Sequence, residues 1–255
     1  MSSIEPYANR DGLELMIHVD APAPTNANVR RPAVLFFHGG GWRNGGPEQF
    51  SPFAKQLNAR GFVTGLVQYR LIGKTAANVM QCVDDALAAW DWLHANANRF
   101  AIDAARCGCA GGSAGGHLSI MVAAESIRTS RPVPAGLLLF NPVVDTEIPR
   151  FAADFQQFPQ LNPMRRIEPA LPSMMILHGQ ADEVVSSESV ETFASRARQS
   201  GSSVDLHIYP DQSHGFFNPG RATETVYADV CQRVSSWAGS LEGFPVPPSA
   251  DSSNV

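Results

Sequence analysis

The chain has 255 residues, of which 44% are hydrophobic and 17% are charged. This composition is typical of globular proteins and excludes disordered and fibrous chains. The formal net charge is −5 and no run of Lys or Arg occurs, so we expect neither nucleic acid nor a membrane as a partner. The four cysteines have no zinc-site spacing, which predicts free thiols and no metal site.

The two ends of the chain bear on its location and on the extent of its domain. The first 20 residues lack the basic start and apolar core of a secretory signal, and no run of about 18 apolar residues occurs. We therefore expect a cytoplasmic protein. Residues 239–255 are rich in Pro, Ser and Gly, which predicts a flexible tail or linker after a single domain at 1–238.

Short apolar runs alternate with segments of helical spacing along the domain. Such alternation predicts an α/β fold, a mostly parallel sheet with helices on its faces. The clearest helix has an apolar stripe from residue 79 to residue 93, and on it we expect Asp84, Asp85 and Asp91 to face solvent. The predicted strands are 33–38, 62–68, 106–110, 135–140, 173–178 and 204–209.

Other segments give weaker signals. Further helices are predicted around residues 190–197 and 226–237, where apolar residues recur at three- and four-residue steps. The polar segment 145–172 contains several prolines and has no clear period, which predicts an insertion over the sheet. His18 is expected on an edge strand.

The sequence GGSAGG at 111–116 directly follows one of the apolar runs and opens a helical segment. A strand, a tight turn and a helix are the context that a G-x-S-x-G nucleophile elbow requires. Gly111 and Gly115 are expected there because side chains would clash in such a turn. Ser113 would then stand exposed above the sheet. The alternatives are a glycine turn without chemistry and a phosphate-binding helix start, although neither phosphate-loop pattern is present.

A serine hydroxyl becomes a good nucleophile only when a base removes its proton, and that base needs an acid to orient it. Among seven histidines, His214 is the one in a loop after the last predicted strand, and we assign it as the base. Asp182 follows the preceding strand at the same edge of the sheet, and the order Ser113, Asp182, His214 is that of α/β hydrolases. Glu183 and Asp211 remain the main alternatives for the acid.

The sequence HGGGW at 38–42 follows the first predicted strand. Acyl transfer develops an oxyanion, and each preorganised N–H donor lowers the barrier by about 3 kcal/mol. Three consecutive glycines let backbone amides approach the oxyanion, and the N–H of Ala114 would add another donor. Trp42 suits either a wall of the substrate pocket or ordinary packing, and it is our candidate substrate-binding residue.

Six motifs occur in a fixed order: HGGGW (38–42), QYRL (68–71), GGSAGGHL (111–118), NPVVD (141–145), HGQADEVV (178–185) and HGF (214–216). Together they resemble the serine esterases of the α/β-hydrolase fold related to hormone-sensitive lipase, especially the short bacterial members that deacylate small esters and carbohydrates. The resemblance covers most of the chain. It implies an eight-stranded sheet and no cofactor. It also implies a catalytic triad of Ser113, Asp182 and His214 and an oxyanion hole formed by Gly40, Gly41 and Ala114.

Two departures from the larger enzymes of this family favour its compact branch, with a small cap or none. Gly112 and Gln68 stand where those enzymes commonly have aspartate, and 37 residues precede His38, too few for a long N-terminal cap. This branch is similar to acetyl xylan and feruloyl esterases. The expected function is a serine carboxylesterase acting on short-chain, acetyl-type esters, including those on carbohydrates. An arylformamidase-type amide hydrolase and a catalytically silent binding protein of the same fold are the alternatives.

Overall fold

The computed structural model describes residues 2–22 and 29–241. Within them lie eight strands: β1 (Ser2–Arg10), β2 (Leu13–Asp20), β3 (Arg31–Phe37), β4 (Val63–Val67), β5 (Ile102–Gly112), β6 (Leu137–Phe140), β7 (Met174–Gly179) and β8 (Val204–Tyr209). They form one sheet in the order β1-β2-β4-β3-β5-β6-β7-β8. β2 is antiparallel to β1 and to β4, whereas the other neighbouring pairs are parallel. The predicted mostly parallel sheet is confirmed.

The β1–β2 hairpin does not appear among the predicted strands. Residues along β1 are mostly exposed or half-buried, so this strand contains no continuous apolar run. His18 lies on β2, which pairs with strands on both sides, and the expectation that it occupies an edge strand is wrong. β5 begins at Ile102, four residues before the predicted start, because Ile102 pairs with Arg31 at the start of β3.

Six α-helices are described: α1 (Ser51–Ala59), α2 (Val79–Ala95), α3 (Ala114–Arg128), α4 (Pro149–Phe155), α5 (Ser187–Gln199) and α6 (Glu224–Ser240). Side chains along β3 alternate between two cores, as the two-residue period of a strand requires. Val34 and Phe36 belong to the core that includes α1 and α6, whereas Leu35 and Phe37 belong to the core that includes α2, α3 and α5. The sheet therefore lies between two helical layers.

The segment predicted as an insertion contains α4 and two short 3₁₀ turns, Pro159–Leu161 and Pro163–Arg165. Phe151 and Phe155 of α4 are buried and pack against Trp42, with ring centroids 5.7 and 4.9 Å away. These aromatic contacts fix α4 beside the carboxyl edge of the parallel strands. The sequence shows no helical period here because α4 spans only two turns.

The C-terminal boundary lies slightly later than predicted. α6 continues to Ser240, and Leu241 is 2% exposed in the core, so the first three residues of the predicted tail are part of the folded domain. The remainder, 242–255, lies outside the described residues. All four cysteines are free, as expected. No helix within 2–22 and 29–241 has both the length and the apolar character needed to cross a bilayer.

Asp85 of α2, expected to face solvent, is completely buried and forms an ion pair with Arg70. Arg70 Nε donates to Asp85 Oδ2 and Arg70 Nη2 donates to Asp85 Oδ1, both at 2.8 Å. The Arg70 backbone N–H also donates to Asp85 Oδ2, at 3.0 Å. Arg10 Nε donates a longer hydrogen bond to Asp85 Oδ1, at 3.3 Å. The expectation for Asp85 is wrong because its partner lies in the loop after β4, which the helical period does not reveal. Asp84 and Asp91 are exposed, as expected.

We expect Asp85→Ala to lower the free energy of unfolding by about 3–5 kcal/mol, because the Arg70 guanidinium would remain buried without its counter-charge. Urea unfolding followed by circular dichroism measures this change. Asp84→Ala is the matched control, since Asp84 is the exposed neighbour on the same helix, and its effect should be about 0.5 kcal/mol or less. Equal effects of the two substitutions would contradict the assignment.

Candidate active site

The turn between β5 and α3 holds Ser113 in an unusual backbone conformation, with φ 54° and ψ −117°. A Cβ atom on Gly111 would lie 2.3 Å from the carbonyl oxygen of Gly115, and one on Gly115 would lie 1.9 Å from that of Phe37. Only glycine fits at either position. The Ser113 N–H donates to the Phe140 carbonyl at 2.9 Å, which ties the turn to β6. The predicted strand–turn–helix context of the elbow is present.

The loops after β7 and β8 bring two further side chains to this turn. His214 Nε2 lies 3.0 Å from Ser113 Oγ, and His214 Nδ1 lies 2.7 Å from Asp182 Oδ2. The three residues predicted as a triad are thus within hydrogen-bond distance in the order serine, histidine, aspartate. Since Nδ1 donates to the carboxylate, Nε2 is left as an acceptor for the serine proton.

The Asp182 side chain is fully buried, and its environment keeps it ionised. Burial raises the pKa of this carboxyl, but hydrogen bonds from His214 and from two backbone amides outweigh burial and lower the pKa below its ordinary value. The amides are those of Val184 and Val185, which donate to Oδ1 at 2.8 and 2.9 Å. A carboxylate fixed in this way can hold the imidazole in one tautomer and stabilise its charged form.

The competing acidic residues are placed elsewhere. Glu183 and Asp211 are exposed. Asp145, also at the carboxyl edge of the sheet, accepts from the Glu147 N–H and from the Asn162 amide. These positions leave Asp182 as the acid in contact with the imidazole.

The other histidines near the strand ends have structural contacts. His38 donates from Nδ1 to the Gly39 carbonyl and stacks on Tyr69. His178 donates from Nε2 to the Val185 carbonyl. His117 is fully buried on α3, and burial lowers its pKa to about 4, so it is neutral at physiological pH.

Gly40 and Gly41, two of the predicted oxyanion donors, line the same cavity as Ser113, and Ala114 directly follows Ser113 in the chain. Gly40 and Gly41 have positive φ angles of 116° and 61°, and a Cβ on Gly40 would lie 2.1 Å from the Asn44 carbonyl oxygen. Within the described part of the chain, no acceptor is found for either N–H group. Ala114 is the first residue of α3, where backbone N–H groups have no partner inside the helix. Three amides are therefore available beside the serine.

Side-chain amides that were not predicted link the loops of the site. Gln49 Oε1 accepts from the Gly39 N–H at 2.7 Å, and Gln49 Nε2 donates to Asn218 Oδ1 at 3.2 Å. Asn218 in turn donates to the Gly215 carbonyl at 2.8 Å. We call the Gln49–Asn218 pair the amide bridge, because it connects the glycine loop to the His214 loop. No sequence pattern marks these two residues.

Asn141, which follows β6, is a third residue that the sequence pattern did not predict. It is fully buried, and its Oδ1 accepts from the Gly215 N–H at 3.3 Å. Its Nδ2 lies 3.3 Å from His214 Nδ1, so the side chain packs directly on the imidazole. The one sequence feature that points to Asn141 is its position at the start of the NPVVD motif, directly after a predicted strand.

Ser113 and His214 line a cavity of about 490 Å³. Trp42 forms part of its wall, although the residue is only 1% exposed. The Trp42 ring meets those of His117 and Phe151 edge-on, at centroid distances of 5.1 and 5.7 Å. Both interpretations of Trp42 therefore apply: it packs in the core and it faces the cavity.

The chain is similar to known esterases in sequence. Residues 34–166 match a family described as alpha/beta hydrolase fold, and residues 139–240 match the prolyl oligopeptidase family. The carboxylesterase NlhH of Mycobacterium tuberculosis is 32% identical over 146 residues, 55% of this chain and 44% of that protein. The match thus spans less than half of this relative's length. The ethyl acetate hydrolase of Pseudomonas putida is 24% identical over 245 residues, 84% of this chain and 75% of that protein.

Solved structures extend this similarity over nearly the whole fold. Propionate-bound esterase 2 of Thermogutta terrifontis is 30% identical, covers 97% of both chains and has a TM-score of 0.87. The apo form of the same esterase gives 30% identity, 96% coverage of both chains and a TM-score of 0.86. With a family model matched over more than half of its residues, the chain belongs to the alpha/beta hydrolase fold family.

Proposed function

We propose that the chain is a serine carboxylesterase that hydrolyses short-chain, acetyl-type esters through an acyl-enzyme. The observation that carries this proposal is the continuous series of contacts from Asp182 through His214 to Ser113, next to unpaired backbone amides. The similarity to proteins named carboxylesterase, ethyl acetate hydrolase and esterase supports the same reaction class.

In the first half-reaction, His214 Nε2 takes the hydroxyl proton while Ser113 Oγ attacks the ester carbonyl carbon. The carbonyl oxygen becomes an oxyanion, to which the N–H groups of Gly40, Gly41 and Ala114 would donate. When the intermediate collapses, the C–O bond to the alcohol breaks and the leaving oxygen receives the proton from Nε2. The acyl group stays on Ser113.

In the second half-reaction, water replaces the alcohol and the same groups act again. His214 Nε2 accepts a proton from water, whose oxygen attacks the acyl carbon. The same amides stabilise the second oxyanion, and collapse returns the proton to Ser113 Oγ as the acid leaves. Asp182 stays ionised throughout and stabilises the imidazolium in both steps.

The wall of the cavity and the similar proteins both support a preference for short acyl groups. Trp42 is held by packed aromatic rings, so the wall cannot yield easily to a long chain. Structures of the Thermogutta terrifontis enzyme are described with propionate and with butyrate. We include acetyl groups on carbohydrates because α4, the helix that lines the cavity, has only 7 residues and is a short cap.

We expect Ser113→Ala to lower kcat for 4-nitrophenyl acetate by a factor on the order of 10⁶, because the nucleophile is removed. Ser126→Ala, a buried serine on the same helix, is the matched control and should retain wild-type activity. A fluorophosphonate probe should label the wild type and the control but not Ser113→Ala. Retained turnover in Ser113→Ala would refute the mechanism.

We expect Asp182→Asn to lower kcat by a factor on the order of 10⁴, because an amide neither fixes the required imidazole tautomer nor stabilises the imidazolium. Glu183→Gln removes the adjacent exposed carboxylate and should leave kcat within about twofold of wild type, an effect typical of an exposed surface position. Steady-state kinetics with 4-nitrophenyl acetate measures both. The reverse result would assign the acid to Glu183.

We expect kcat/KM for 4-nitrophenyl esters to be highest between acetyl and butyryl and about tenfold lower for octanoyl. Forcing extra methylene groups against packed rings costs about 1–3 kcal/mol, and about 1.4 kcal/mol corresponds to a factor of ten. Phe151→Ala, in the cavity wall, should raise the octanoyl rate relative to the butyryl rate. Phe158→Ala, outside the cavity lining, should leave that ratio unchanged.

A wild-type maximum at octanoyl would contradict the short-chain assignment. Faster turnover of N-formylkynurenine than of any ester would favour the arylformamidase-type alternative, because the same residues would then act on an amide. Both measurements use the enzyme and buffer of the ester series, so the rates can be compared directly.

A further inference from the structure

The cavity that contains Ser113 is positively charged, although the chain as a whole has a formal net charge of −5. Three arginines line it, Arg43, Arg150 and Arg221, together with a single acidic residue, Asp154. The charged lining residues therefore sum to two positive charges, and the buried Asp182 carboxylate behind His214 leaves a net charge of one positive. A cavity whose charge is opposite to that of the surrounding protein concentrates ligands of the complementary sign.

The acidic residue is already paired. Arg43 Nη2 donates to Asp154 Oδ1 at 2.5 Å, which neutralises one of the three arginines. For the guanidinium groups of Arg150 and Arg221, the structure records no ion pair or hydrogen bond with any residue in 2–22 and 29–241. Both side chains are exposed. Two cationic groups with free donors thus face the cavity that holds the nucleophile.

The position of Arg221 in the chain indicates which part of an ester it would meet. Arg221 follows His214 by seven residues, and Gly215, Phe217 and Asn218 between them also line the cavity. In the proposed mechanism His214 protonates the leaving oxygen, so the alcohol portion lies beside this wall. Arg150, the second residue of α4, lies in the wall formed by the α4 segment.

We propose that Arg150 and Arg221 form a binding site for an anionic group on the alcohol portion of the ester, a carboxylate or a phosphate. This inference rests on the proposed ester hydrolysis. A guanidinium presents paired N–H donors that match the oxygen atoms of either group, and it keeps its charge at any pH at which the protein folds. The substrates are then esters of hydroxy acids, acidic sugars or phosphorylated alcohols.

The test compares three acetyl esters that differ in the charge of the leaving group: 3-acetoxybenzamide, 3-acetoxybenzoate and 3-acetoxyphenyl phosphate. The amide is neutral and close in shape to the carboxylate. Exposed ion pairs contribute little each, so we expect the wild-type kcat/KM to be about three- to tenfold higher for an anionic ester, mainly through KM. The preference should shrink in 0.5 M NaCl because salt screens the attraction.

Substitutions in the cavity and outside it separate this site from the charge of the whole protein. Arg150→Gln and Arg221→Gln should each reduce the ratio of anionic to neutral kcat/KM, and the double variant should bring it close to one. Arg196→Gln removes an exposed arginine on α5 that does not line the cavity, and it should keep the wild-type ratio. The ratio is internal to each variant, so a change in the folded fraction does not affect it.

The outcomes are distinct. A preference for either anionic ester that disappears in the double variant supports the site, and the comparison of carboxylate with phosphate identifies which group it takes. Equal wild-type rates on neutral and anionic esters, or a preference that survives in the double variant, would overturn it. Absence of turnover with all three esters and with 4-nitrophenyl acetate would instead refute the proposed hydrolysis.

Discussion

The site depends on one close approach between backbones, that of Gly115 to the end of β3. A methyl group at Gly115 would overlap the Phe37 carbonyl, so only a hydrogen at this position lets α3 start directly against the strand. The same approach sets the glycine loop after β3 next to Ser113. Nucleophile and amide donors are therefore neighbours because of a steric fit in the core.

Much of this arrangement could be predicted from the sequence, because the relevant signals are local. Glycines at 111 and 115, a serine between them and an apolar run before them define the turn without reference to other residues. His214 and Asp182 follow predicted strands, and parallel strands bring their carboxyl ends to one edge. The topology thus brings together residues that are about 70 and 100 positions from Ser113 along the chain.

Other features could not be predicted, because they depend on partners that the sequence does not pair. The helical period predicts that Asp85 faces solvent, yet its carboxylate is buried and accepts hydrogen bonds from the guanidinium of Arg70 in another loop. The two roles of Trp42 could not be separated without the position of α4, whose rings pack on it. The amide bridge has no signal at all, since Gln and Asn at 49 and 218 are ordinary in polar loops. The common reason is that these contacts join residues far apart in the chain.

The amide bridge joins positions that are 169 residues apart, and the contact between Ser113 and His214 spans 101 residues. Closing loops of this length costs chain entropy, which the contacts of the folded sheet offset. No fragment of local sequence can build the hydrogen-bonded centre in advance of the rest. Catalytic competence consequently requires contacts across the whole domain, and enzymatic turnover reports on the integrity of that domain.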